Sequence, residues 1–411
     1  MADRFFQHVY PNGLTLLVER MPAVQSAAMS LLVPAGVSND PEAVGGAANV
    51  LSDLILRGAG PLDSRTLTDH LDRLGLQRSS SAGLYHTRLG CAALASKVME
   101  GLSTYSDIVR RAHLPEVGFE AARDLTLQAI AGIDDDPRQK LLLALRERHF
   151  PWPYGRNSLG NETELKALTL DQMKQDYTNR YHARGTILAI AGDVQFERLL
   201  DEVDHLFGDW DGSPVVELPT RPATGGVSHQ EQESEQTHIG IAWPSILETD
   251  PEYYTVRLAV EILSGGMSGR LFTEVREKRG LVYSVWAGYS SLKDVGSILA
   301  YAGTSNERAQ KTLDTMLAEF TRLTEGVTPA ELQRAKTGLK AATIMQGESS
   351  GARAGAIAHD WFIRGRIRTL DEIKDAIDAV TVDRVNAYLK AHPPGPYTIV
   401  TVGPKGLEVP K

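Results

Sequence analysis

The sequence has little of what holds metals or cross-links a chain. One cysteine, Cys91, in 411 residues excludes an internal disulfide and any thiolate cluster. The eleven histidines are scattered. No two lie three to five residues apart, so paired imidazoles at helical zinc-ligand spacing are missing. No apolar run approaches the roughly 18 residues of a membrane span. The start, Met1-Ala-Asp-Arg-Phe-Phe, lacks a charged region followed by a long apolar core. The expectation is a soluble chain, cytoplasmic, or periplasmic if a leader has been removed. A formal charge of -9 supplies no basic surface for nucleic acid.

What is present is ordinary globular composition, 42% apolar and 23% charged, at a length that suggests two or three domains. Asn12-Gly13 marks a hairpin turn before a β-rich run at 14–19, and 27–34 is a second apolar strand. Ala47, Val50, Leu51 and Leu54 fall on one helical face. Helices are expected at 64–74, 96–111, 116–133, 138–149, 169–181 and 196–207, with strands near 84–93 and at 186–191. Residues 211–228 carry Gly212, Pro214, Pro219, Pro222, Gly225 and Gly226 and read as a linker. This divides the chain into an N-terminal domain, 1–210, and a C-terminal domain, 229–411.

The second half repeats the first in outline. Strands are expected at 237–243 and 281–289. Helices are expected at 253–263, 269–278, 309–323, 329–345 and 370–377. Thr169-Leu-Asp171 with Tyr177, then Thr186-Ile-Leu-Ala189, is echoed by Thr381-Val-Asp383 with Tyr388, then Thr398-Ile-Val-Thr401. Both closures end in glycine, Gly192 and Gly403. The expected class is α+β: two tandem homologous domains, each a mixed, largely antiparallel sheet flanked by helices.

The segment Gly46-Ala-Ala-Asn-Val-Leu-Ser-Asp-Leu-Ile-Leu-Arg-Gly58 resembles the zinc-site helix of the insulinase/pitrilysin peptidase family, in the branch of the mitochondrial processing peptidases. That helix carries His-x-x-Glu-His. Imidazoles at i and i+4 share a Zn²⁺, and the glutamate serves the metal-bound water as general base. The resemblance puts Asn49, Ser52 and Asp53 on these three positions. The family's third ligand, a glutamate on a later helix before an Asp-Asp-Pro break, falls on Ala129, and a second glutamate falls on Ala122. All five positions have lost their chemistry, so the resemblance implies no zinc in this chain. A site built on another metal through Asp53 would lack a second carboxylate.

The segment Leu263–Ser284 resembles the family's C-terminal signature almost residue for residue. There an arginine and a tyrosine seven positions later bind the substrate backbone, and Arg276 and Tyr283 match them. By spacing alone Arg276 reads as a solvated helix-end charge capped by Gly280, and Tyr283 as a core aromatic. Under the resemblance, guanidinium and phenol donate hydrogen bonds to a peptide carbonyl. The loop 150–164, the strand 181–193 and the hairpin at Asn12-Gly13-Leu14 match the family too.

Together these readings imply the non-catalytic subunit of a heterodimeric zinc metallopeptidase. The zinc would sit in a homologous partner, and Arg276 and Tyr283 would hold the peptide. The strand 237–243 is a candidate interface or chamber wall. The alternative is a non-proteolytic scaffold or peptide-binding homodimer of the same fold. Lesser features read blandly. Asp134–Asp136 is a solvated helix break, Gly265, Gly266 and Gly269 are packing glycines rather than a phosphate loop, and Glu231–Glu235 is a surface run. His238 and His359 are structural, and Cys91 is a buried inert thiol.

Overall fold

A computed structural model describes residues 4–211 and 219–409; Met1–Asp3 and the part of the expected linker holding Gly212 and Pro214 lie outside the described residues. Two compact units emerge. Unit 1 comprises Met1–Gly132, Arg156–Pro219 and Gln346–Ile367, and unit 2 comprises Ile133–Gly155, Thr220–Met345 and Arg368–Lys411.

The sheet of unit 1 contains β1 (Phe5–Val9), β2 (Thr15–Arg20), β3 (Ser26–Val33), β4 (Gln77–Ala82), β5 (Thr87–Leu94) and β6 (Ile187–Gly192). Their spatial order is β1-β2-β6-β3-β5-β4. The sheet of unit 2 contains β7 (Val227–Glu231), β8 (Gln236–Ser245), β9 (Val282–Ser291), β10 (Gly296–Ser305) and β11 (Thr398–Gly403), in the order β7-β11-β8-β10-β9. Apart from β1 the two orders correspond strand for strand. The directions correspond as well. β2 and β6 run parallel, as do β7 and β11, and the other neighbouring pairs are antiparallel. The closing strands whose similarity suggested a duplication, β6 and β11, occupy the same interior slot of each sheet.

Both closing strands are buried along their whole length. A strand with no solvent face needs cover on both sides. In each unit part of that cover is a helix encoded in the other half of the chain. Helix α4 (Pro137–His149) packs on β8 and β11 of unit 2, where Gly240 leaves room for Leu141 and Leu145. Helix α9 (Ser350–Arg364) packs on β2, β3 and β6 of unit 1, with Ile357 and Ala358 against Leu17, Ile187 and Ala189. The compact units therefore depart from a simple division at 211–228 by these two helices. The cause is burial: each helix goes where an apolar sheet face lacks cover.

Polar anchors fix both helices. Arg353 of α9, 4% exposed, reaches Glu19 of β2, 0% exposed, at 2.7 Å; Arg4 takes the other carboxylate oxygen at 2.8 Å. His149 at the end of α4 bonds Thr398 Oγ1 at 3.1 Å through Nδ1 and Ser297 Oγ at 2.8 Å through Nε2. Burial, helped by Arg146, pushes the His149 pKa down to about 4.

Several expectations need correction. The segment expected as a helix at 269–278 is helical, but π-helical over Phe272–Glu277, and a 3₁₀ turn, Gly266–Ser268, precedes it. Strands β4 and β10 and helix α9 were not expected from the sequence. The end of the expected linker is strand: Val227 and Ser228 begin β7. Strand β8 is the central strand of unit 2, bonded on both edges and buried over most of its length. His359, read as structural, is exposed. His238 is buried and bonds Tyr301 Oη at 2.8 Å. Cys91 is buried, and burial pushes its thiol up to about 11.

Two tests follow. Removing Glu19 leaves the buried Arg353 uncompensated and should cost about 3 kcal/mol, whereas removing Arg353 leaves Glu19 its bond from Arg4 and should cost less. In thermal melts, Glu19→Leu should lower the midpoint more than Arg353→Met, and the double variant should recover much of the loss. The second test concerns pH. His149 stays neutral in the folded state down to about pH 4, whereas the unfolded chain protonates it below its ordinary value near 6.5. Its contribution is complete above pH 6.5 and lost as pH falls toward 4, by at most about 1.4 kcal/mol per pH unit. The difference in melting midpoint between wild type and His149→Gln should shrink across that window, and a constant difference would contradict the assignment.

Candidate functional site

The residues singled out from the sequence fall on two surfaces, one in each unit. In unit 1 the first is α1 (Ala47–Leu54) with α3 (Glu116–Asp134). The start of α1 is held tightly. Gly46 has φ +88, and a Cβ there would meet the Leu159 carbonyl oxygen at 2.4 Å, so glycine is required. The fully buried Asp40 carboxylate accepts from the Gly46 and Ala48 amides, each at 3.0 Å. Arg180 lies 3.1 Å from it. Burial nevertheless raises the Asp40 pKa to about 6, against the pull of Arg180. The Gly45 amide donates to Glu164 at 2.8 Å, which ties the loop matched from the sequence to the same point.

The side chains on α1 engage one another and α3. Asn49 Nδ2 donates to Thr126 Oγ1 at 3.0 Å, and Thr126 donates to the Ala122 carbonyl at 3.0 Å. Ala122, Thr126 and Ala129 are spaced to share one face of α3. The structure therefore brings Asn49 to the helix face that carries Ala122 and Ala129. Ser52 is buried and donates to the Asn49 carbonyl at 2.8 Å. Asp53 accepts two bonds from Arg57, at 3.0 and 2.8 Å.

This donor set does not fit zinc. It offers an amide, a hydroxyl, a carboxylate already paired with arginine, and two methyl groups, with no imidazole or thiolate. Among the described residues no three His, Cys, Asp or Glu side chains are grouped to hold a metal ion.

The second surface is in unit 2. Helix α7 (Tyr253–Ser264) ends at Gly265, whose amide donates back to the Glu261 carbonyl. A Cβ on Gly265 would meet Glu261, and one on Gly269 would press on Ser264 and Gly265, so these glycines serve close packing. Ser264 Oγ accepts from the Ala287 amide at 2.8 Å and ties the helix end to β9. The π-helical stretch then packs on β9 and terminates at Gly280, φ +60, whose amide donates to the Arg276 carbonyl at 3.0 Å.

Glu274 organises the cations around this turn. It is 9% exposed and accepts from Lys278 at 2.7 Å and Arg279 at 2.6 Å, with Arg322 at 3.6 Å. Bonds from Lys278 and Arg279 hold its carboxyl down at about 2. Arg270 is likewise spent on Glu331, at 2.7 and 3.0 Å. Arg276 is the exception. It is exposed, has no ion-pair or hydrogen-bond partner among the described residues, and rests its guanidinium over Phe272, 5.0 Å from the ring centroid.

Tyr283 is 68% exposed, so the core-aromatic reading is overturned. The reason is a β-bulge. Val282 pairs with Thr304 and Ser284 with Gly303, which leaves Tyr283 out of the ladder. A bulge re-aims the side chain it carries. The sequence showed neither the bulge nor the π-helix, although the i,i+4 spacing of Glu274 and Lys278 hinted at the anchor.

Among the described residues no helix is long and apolar enough to cross a membrane. Residues 15–161 match the insulinase (peptidase family M16) domain, and residues 167–339 match the peptidase M16 inactive domain. An uncharacterized zinc protease of Mycobacterium leprae is 28% identical over 394 residues, 92% of this chain and 86% of that protein. One of Bacillus subtilis is 24% identical over 407 residues, 96% of this chain and 97% of that protein. The crystal structure of a peptidase M16 inactive domain from Pseudomonas fluorescens has the same fold, with a TM-score of 0.89, 24% identity, and coverage of 99% of this chain and 100% of that one. With the two domain matches in tandem, on sheets of matching topology, the chain belongs to the peptidase M16 (insulinase) family.

Proposed function

We propose that this chain is the non-catalytic subunit of a heterodimeric zinc metallopeptidase. It would hold the peptide with Arg276 and Tyr283 while a homologous partner supplies the zinc. The observation that carries this reading is the contrast between its two surfaces. On α1 and α3 the positions matched to the zinc site carry no imidazole or thiolate, Asn49 is bonded to Thr126 and Asp53 is paired with Arg57. On the π-helical turn and the first residues of β9 one guanidinium and one phenol are exposed with no hydrogen-bond or ion-pair partner among the described residues, while the neighbouring Lys278, Arg279 and Arg270 are all engaged.

An unpartnered guanidinium and phenol suit a peptide backbone. Both donate hydrogen bonds to carbonyl oxygen, and both stabilise the negative charge that gathers there during hydrolysis. Phe272 supports Arg276 from one side, which reduces the freedom lost on binding. The partner's zinc would polarise the peptide carbonyl and activate water. This chain's part is binding and orientation.

Two predictions test the reading. In a complex with the zinc-bearing homologue, Arg276→Ala should lower kcat/KM on a peptide substrate by about 10²-fold and Tyr283→Phe by about 10-fold, with zinc content unchanged. Full activity in both variants would sink the shared-site idea. The second prediction restores the ligands. A variant carrying N49H, S52E, D53H, A122E and A129E should bind about one zinc per chain by atomic emission, while the natural chain binds none after dialysis. Stoichiometric zinc on the natural chain would contradict the reading.

A further inference from the structure

Unit 2 holds a second guanidinium without a polar partner. Arg138, on the first turn of α4, is exposed and has no hydrogen bond or ion pair among the described residues. It lies over the Tyr301 ring, 5.0 Å from the centroid. The carboxylates just before it are committed elsewhere. Asp136 caps α4 by accepting from the Gln139 amide at 3.0 Å, and Asp134 is paired with Lys140 at 3.1 Å. Asp136 is near enough to act on His238 and Tyr301, yet it forms no ion pair with Arg138.

Tyr301 joins Arg138 to β9. It is 3% exposed and stands directly opposite Trp286 in the β9–β10 ladder, with ring centroids 6.2 Å apart and planes 27° apart. Its hydroxyl is engaged with His238 Nδ1 at 2.8 Å. The indole of Trp286 is not engaged. Its Nε1 is buried and has no hydrogen-bond partner. The six-membered ring lies beside Gly288, where a Cβ would stand 3.7 Å from Cζ3, so the N–H edge is turned away from that glycine. A buried N–H without an acceptor is destabilising and rare in folded proteins, so it calls for a reason.

Guanidinium and indole both donate hydrogen bonds, and neither can accept one. A ligand that meets both must bring acceptor oxygens, and a guanidinium favours oxygens that carry charge. The place matters too. Trp286 is three residues beyond Tyr283 on β9, about 10 Å along a strand, the span of a short extended peptide. We propose that Arg138 and Trp286 form a carboxylate subsite beside Tyr283, which selects peptides bearing an acidic side chain or a free C-terminus. This deepens the peptide-holding reading and rests on it.

The test uses the full chain and labelled peptides of one uncharged sequence, read by fluorescence anisotropy. The reference peptide is amidated at its C-terminus. A second set places Glu at each position in turn, and a third peptide ends in a free carboxylate. Glu at one position, or the free carboxylate, should tighten binding about ten-fold over the reference, the range of a charge-assisted bond. Which peptide gains identifies the source of the carboxylate. Arg138→Met, at an exposed site that tolerates the change, should remove the gain. Trp286→Phe keeps a ring on Tyr301 and should lower the gain about three-fold, the range of one neutral hydrogen bond. Arg276→Ala should weaken all the peptides alike and leave the gain in place. Acidic and amide peptides that bind equally, and still weaken in Arg276→Ala, would overturn the carboxylate subsite and leave the peptide-holding reading standing. A gain that survives in Arg138→Met would overturn the subsite too. No binding of any peptide at millimolar concentration would contradict both.

Discussion

The fold depends on one constraint: the interior closing strand of each sheet, β6 or β11, has no solvent-facing side. Such a strand is stable only if helices cover both faces of its sheet. Each sheet takes part of its cover from a helix encoded in the other half of the chain, α9 for unit 1 and α4 for unit 2. The anchors are of different kinds. Arg353 brings a buried charge to Glu19, and His149 brings a neutral ring to two hydroxyls. The duplication is therefore reciprocal, because neither half of the sequence alone encodes a fully covered sheet.

The same economy of polar groups separates the two candidate surfaces. In α1 and α3 the side chains at the metal positions are either methyl groups or are satisfied locally, as in the Asn49–Thr126 bond and the Asp53–Arg57 pair. An amide-to-hydroxyl bond now links the helices. In unit 2 the buried Glu274 draws in Lys278 and Arg279 and leaves Arg276 alone beside Phe272. The bulge then turns Tyr283 outward. Two departures from regular geometry within a dozen residues both serve exposed hydrogen-bond donors.

Much of this was legible in the sequence. The repeated closures Thr169–Gly192 and Thr381–Gly403 gave the duplication and the α+β class, because a buried strand after a capped helix leaves a strong apolar and threonine pattern. The candidate residues were found through resemblance rather than periodicity. Helix α9 was missed because Gly351, Gly355 and a run of alanines blur its apolar stripe, yet those small residues let it lie close on the sheet. Strand β10 follows a turn of only a few residues after β9 and shows no clear alternation, since it is buried on both faces. The π-helix and the bulge left no local signal, because packing against the rest of unit 2 selects them. The exposure of Tyr283 was invisible for the same reason: a one-residue register change reverses a strand side chain.

The central claim is a division of labour, with peptide-holding groups here and metal elsewhere. Native mass spectrometry of this chain in complex with a zinc-bearing homologue tests it most directly. The account predicts one zinc per pair of chains, travelling with the partner when the complex is dissociated. Zinc that stays with this chain, or metal-dependent peptide hydrolysis by this chain alone, would contradict it.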